Sequence, residues 1–176
     1  MVGAIPTKLC NQLYHLPVID AIHHLDGTLY DWYKNLLLNT HLPCLCGSGI
    51  EYQQCCGPFH SGEKIPATAE ALMRSRYTAY AMHNAAYLQG TWDATKRPEK
   101  IDFSREKIDW LRLEITDTKK GGIKDSKGVV SFKAFYMQDG EEHVMNEISR
   151  FTKINGRWIY PDGVIKSIGK VGLLTN

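Results

Sequence analysis

The stretch Cys44–His60, reading CLCGSGIEYQQCCGPFH, constrains this chain more than any other. It holds four of the five cysteines. Cys44 and Cys46 are separated by one residue, eight residues follow, and Cys55 and Cys56 then stand adjacent. Adjacent cysteines rarely bridge each other because the ring is strained, so a disulfide set fits poorly. Zinc fits better, since it takes four soft ligands tetrahedrally with sulfur at about 2.3 Å. A one-residue spacer brings two thiolates to one ion only if the backbone bends sharply. Gly47 and Gly49 permit that bend and leave their N–H groups to donate to sulfur. Four thiolates from Cys44, Cys46, Cys55 and Cys56 close the coordination shell, which makes a structural site with no position for a substrate water. Three alternatives stay open: His60 in place of one cysteine, a redox-active Cys55–Cys56 pair with a lowered thiol pKa, or inert thiols.

The remaining composition bounds the frame around this module. A chain of 176 residues that is 43% hydrophobic and 23% charged can build one domain of ordinary size plus a small appendage. Its net charge of +2 is too small to draw in nucleic acid by bulk attraction. The amino terminus, MVGAIPTKLCNQLYHLP, has no apolar run of signal-peptide length, and no stretch approaches the roughly 18 apolar residues of a membrane span. A soluble, cytoplasmic protein is expected. In that compartment clustered cysteines are metal ligands or redox groups more often than disulfides.

Thr28 with Asp31 forms an N-terminal capping pattern, and Leu29, Trp32, Tyr33, Leu36 and Leu37 recur at helical spacing. They predict a helix over about 29–38 within an extension, 1–41. After the cysteine module, 42–62, Thr68 caps a second helix whose apolar stripe is Leu72, Met73, Tyr77, Tyr80 and Ala81. A short helix through Ala85–Leu88 follows, and Ser104 is placed at the cap of a further helical turn. Strand patterns then occupy Trp110–Thr116, Val129–Met137, His143–Ile154 and Arg157–Tyr160. Asp139-Gly140 and Asn155-Gly156 are tight-turn signals, and Asp162-Gly163 is expected to turn the chain once more. Helices followed by an antiparallel meander predict an α+β domain over 66–170, with helices packed on one face of a curved sheet.

The segment PCLCGSGIEYQQCCG resembles the SEC-C motif, the small zinc module at the tail of the preprotein translocase ATPase. The resemblance implies one structural zinc ion on Cys44, Cys46, Cys55 and Cys56, with Cys56 standing where many members have histidine. The stretch CCGPFHSGEKIPATAEALMRSRYTAYAMHNAAYLQGTW, with NEISRFTKINGRWIYPDG, is similar to the uncharacterised YchJ-like bacterial family. That family joins an SEC-C module to a domain resembling nuclear transport factor 2, which implies a cone of helices against the sheet. The translocase tail docks an acidic chaperone surface through lysines between its ligand pairs. Here Ile50, Glu51, Gln53 and Gln54 fill those positions, so that partner is not implied.

Two functions follow as expectations. In the first, the zinc module presents a rigid surface to a protein partner or to the ribosome. In the second, the cone encloses a small-molecule pocket, possible lining residues being Arg74, Arg76, Tyr77, Trp92, Glu147 and Ser149. On an extended β-strand His143, Glu147, Ser149 and Phe151 share one face. Glu147 or His143 in an apolar cavity would have its pKa drawn toward neutral, as a general base requires. The plainer reading is a structural tie between Glu147 and an arginine of the helix. Trp110 and Trp158 are expected in the core. A nucleic-acid contact would fall on Lys119, Lys120, Lys124 and Lys127, where no aromatic residues alternate with the lysines. No residue is assigned a catalytic role. Cys10, His23 and His24 have no evident partners.

Overall fold

The computed structural model describes residues 43–104 and 107–172. The extension 1–41 with its predicted helix, together with Cys10, His23 and His24, lies outside the described residues. Ser104 lies in a turn, and the two residues after it lie outside as well.

Among the described residues, three helices, a 3-10 turn and one sheet make up the cone and its appended module. Helix α1, Gly57–His60, follows a 3-10 turn at Tyr52–Gln54. Helix α2, Ala69–Ala81, starts where Thr68 Oγ1 accepts the Ala71 N–H at 3.1 Å, with Glu70 in the positive first turn. It ends before His83, which has a φ of +51°. Helix α3, Ala85–Gly90, is capped by Asn84, whose Oδ1 accepts the Tyr87 N–H at 3.0 Å.

Strands β1 (Asp109–Lys120), β2 (Lys127–Gln138), β3 (Glu141–Ile154) and β4 (Arg157–Lys170) form an antiparallel meander in that order. The turns at Asp139-Gly140 and Asn155-Gly156 carry positive φ at both residues, so both are the two-residue hairpins that the sequence implies. Register shifts interrupt β1 near Trp110 and Ile115, and the β3–β4 ladder near Asn146 and Arg150. Each bends its strand, and together they curl the sheet around α2. The core packs Leu72, Met73 and Tyr77 of α2 against Leu113, Val130, Phe132, Phe151 and Trp158. Trp158 donates its indole N–H to Ala67 O at 3.0 Å, while Trp110 is only half-buried.

Asp162-Gly163 does not turn the chain. Both residues lie inside β4, in pairing with Arg150 and Ser149. The glycine serves a close approach instead, because a Cβ there would run into Glu147 Oε1. Pro161 is tolerated beside it because β4 is an edge strand. Among the described residues no helix is long and apolar enough to cross a membrane.

Candidate metal centre and cone cavity

The four cysteines converge, their Sγ atoms all lying within 4.8 Å of one another. Cys46 and Cys55 are 3.5 Å apart, Cys55 and Cys56 3.9 Å, and none is in a disulfide. Four thiolates at tetrahedral positions on one zinc ion would be about 3.8 Å apart, so the set fits a single ion. The Cys44 N–H donates to Ile50 O at 2.7 Å and closes the loop between the pairs. Gly47 makes the sharp bend with a φ of +74°, and a Cβ there would sit 2.6 Å from Leu113 O on β1. Only glycine lets the module seat this close to the sheet.

The donors to sulfur are not the ones the spacing suggests. The Gly47 N–H reaches Cys44 O at 3.2 Å. The Cys46 and Ser48 N–H groups donate to Cys44 and Cys46, and two hydroxyls lie against the sulfurs: Ser48 Oγ is 3.1 Å from Cys55 Sγ, and Thr78 Oγ1 is 3.5 Å from Cys56 Sγ and 3.6 Å from Cys44 Sγ. Thr78 belongs to α2, far away in sequence, which is why spacing within the motif does not reveal it.

The sulfur set is built for a cation. The Cys46 thiol is held far below its ordinary range because the Cys44 and Cys56 thiols donate to it. Cys44 is pushed up to about 12, chiefly by donating to Cys46, and Cys56 is also raised, by its contacts with Cys44 and Cys46 and by burial. Several sulfur anions at this separation need a positive ion among them.

His60 is not a fourth ligand in place of a cysteine. Its Nε2 lies 2.9 Å from Ser75 O, a carbonyl that can only accept, so Nε2 carries the proton. Its Nδ1 then accepts from the Tyr52 hydroxyl at 3.0 Å. Burial lowers the His60 pKa, in keeping with this neutral tautomer, and raises that of Tyr52 to about 12. Nε2 fastens the module to α2, and Nδ1 ties His60 to the 3-10 turn inside the module. The chain of contacts continues through Ser75, which donates to Leu72 O and accepts the Tyr87 hydroxyl at 2.7 Å.

On its opposite side α2 borders a cavity of about 230 Å³. Met73, Arg76, Tyr77 and Tyr80 line it from the helix. Phe132, Ala134, Met145, Glu147 and Ser149 line it from the sheet, with Trp110 and Tyr160 at the sides. The candidate residues divide. Arg76, Tyr77, Glu147 and Ser149 meet here. Arg74 faces the cysteine module, donating through Nη1 to Cys46 O at 2.7 Å and through Nε to Glu70 at 2.8 Å. A spacing of two residues turns a helix through about 200°, so Arg74 and Arg76 leave it on opposite sides. Trp92 stands behind Arg76, its ring 5.0 Å from the guanidinium carbon. His143 lies further along β3, stacked on Tyr136.

Arg76 is 2% exposed and donates through Nη1 to Leu88 O and Thr91 Oγ1, with its guanidinium 4.4 Å over the Tyr160 ring. Burial lowers its pKa. Glu147 Oε1 accepts from the Ser149 hydroxyl at 2.5 Å and from the Tyr160 hydroxyl at 3.4 Å. The expected tie between Glu147 and an arginine is absent as a direct ion pair among the described residues; the Tyr160 ring spans the gap instead. The Tyr77 hydroxyl is buried with no hydrogen-bond partner, and burial raises its pKa. The four lysines expected at a nucleic-acid contact are exposed at the β1–β2 end of the sheet.

A cysteine knuckle braced against a helix-and-sheet cone is the architecture of SEC-C proteins with a domain like nuclear transport factor 2. The model for the middle, nuclear-transport-factor-2-like domain of YchJ matches residues 68–163, and the SEC-C motif matches residues 42–58. The chain belongs to the YchJ family, whose curated relatives carry the designation UPF0225. It is 48% identical to a UPF0225 protein of Corynebacterium glutamicum, over 68% of this chain and 94% of that protein. It is 44% identical to one of Streptomyces coelicolor, over 69% and 94%. Among solved structures it is similar to a SEC-C motif containing protein of Rhodopseudomonas palustris, with 36% identity and a TM-score of 0.64 over 72% of this chain and all of that one. A second, from Psychrobacter arcticus, gives 25% identity and a TM-score of 0.55 over 71% and 82%.

Proposed function

We propose that this protein binds a small molecule in its cone, and that a structural zinc ion on Cys44, Cys46, Cys55 and Cys56 braces the helix that forms one wall. The observation that carries this reading is the cavity itself, where Arg76 and Glu147 are both present without a direct ion pair. Opposite charges that line one cavity without pairing directly are candidate ligand contacts. The zinc part rests on the sulfur separations and on the soft, all-thiolate donor set. A bound ion would supply charge balance and rigidity, while Thr78, Ser48 and His60 hold the ligands in place. Native mass spectrometry of the gently purified protein tests the pocket. A small adduct is expected, and an Ala134→Leu variant that narrows the cavity should lose it. An adduct retained by that variant would place the molecule elsewhere and contradict the reading.

A second reading is contact with a protein or ribosomal partner through the module's outer face. Ile50, 50% exposed at the tip of the knuckle, supports it. A pull-down would then capture a partner that a Cys55→Ser, Cys56→Ser variant loses, and recovery by the variant would rule it out.

A further inference from the structure

We propose that the ligand class of the cone cavity is a neutral, flat ring that presents an N–H donor beside a carbonyl acceptor, as on the edge of a cyclic amide; this rests on the pocket reading above. Arg76 uses Nη1 on the protein, and its Nε and Nη2 make no hydrogen bond among the described residues. They offer N–H groups to an acceptor. Glu147 uses Oε1 on Ser149 and Tyr160, and its Oε2 is left to accept from a donor. The Tyr160 ring lies under the guanidinium and its hydroxyl reaches Glu147, so one aromatic ring spans the space between the two charges.

The charges select among ligands. An anion would satisfy Arg76 and meet Glu147 unfavourably, and a cation would do the reverse. A neutral donor–acceptor edge satisfies both and leaves the cavity's net charge unchanged. The rest of the lining is apolar and aromatic, with Trp110, Tyr80 and Phe132 offering ring faces and edges to a flat molecule. A cavity of about 230 Å³ limits that molecule to one or two fused rings.

The test titrates the full-length 15N-labelled protein with 2-quinolone, quinoline and 2-naphthoate, following the Trp110 indole and Tyr77 amide signals. The expected result is that 2-quinolone binds at least tenfold more tightly than either comparator. In a Glu147→Leu variant 2-naphthoate should overtake 2-quinolone, because Arg76 then faces no carboxylate. If that variant fails to fold, the order of the three probes on the unmodified protein decides alone. Equal or tighter binding of quinoline or 2-naphthoate by the unmodified protein overturns the ligand class and leaves the pocket reading standing. Signals that none of the probes moves, or binding that an Ala134→Leu variant leaves unchanged, overturn both.

Discussion

The two sides of α2 treat polar groups in opposite ways. On the module side Thr78, His60, Tyr52, Ser48 and Arg74 all have partners, and the sulfurs they surround form a closed set. On the cavity side the Tyr77 hydroxyl has none, Glu147 Oε2 makes no hydrogen bond, and Arg76 is only partly engaged. A satisfied network holds a single arrangement, whereas an unsatisfied one raises the energy of the empty protein and favours whatever completes it. On the proposed reading, one helix carries a rigid support and a receptive wall, less than a turn apart.

The contrast predicts a graded series of effects. Replacing the fully buried Cys46 by serine removes one of the four sulfurs; on the proposed zinc reading the variant should lose metal and about 3 kcal/mol or more of stability, read by metal content and denaturant unfolding. His60→Leu should cost about 1–3 kcal/mol, because it orphans the buried Tyr52 hydroxyl and removes the extra hydrogen bond to Ser75 O. A loss under about 0.5 kcal/mol would show that the module is not fastened to α2 in this way.

Leucine scanning separates the packed side from the open one. Ala69→Leu, at a fully buried position whose Cβ fills the space beside Gly121 and Gly128, should cost about 1–3 kcal/mol by overpacking. Ala134→Leu, which projects into the cavity, should change stability by less than about 1 kcal/mol while abolishing ligand binding. Equal penalties at the two sites would mean that no usable cavity exists. The smallest effect belongs to Asp162, held down to about 2 by Arg150 and then Lys96. Its folded pKa lies below its unfolded one, so its contribution is present above about pH 4 and fades as pH falls toward 2. This carboxylate is near the surface, so Asp162→Asn should flatten that part of the pH profile by well under about 1 kcal/mol.

Much of this arrangement is legible in local chemistry. The one- and eight-residue spacings give the sulfur set, Asn155-Gly156 and Asp139-Gly140 give hairpins, and Thr68 opens the central helix. What escapes depends on distant residues. Thr78 and Ser75 look like ordinary helix residues until tertiary packing brings cysteines and His60 to them. Gly163 looks like a turn because a glycine signals freedom of φ and close approach alike, and only the position of Glu147 across the ladder separates the two. The division between Arg74 and Arg76 was available from helical geometry alone.

Metal content measured alongside thermal unfolding tests the closed metal site most directly. The four-sulfur site predicts about one zinc per chain in protein purified without added metal. A chelator should lower the melting temperature, and stoichiometric zinc should restore it. Metal-free protein that carries four reactive thiols in the module, yet melts at the same temperature with or without zinc, would contradict it.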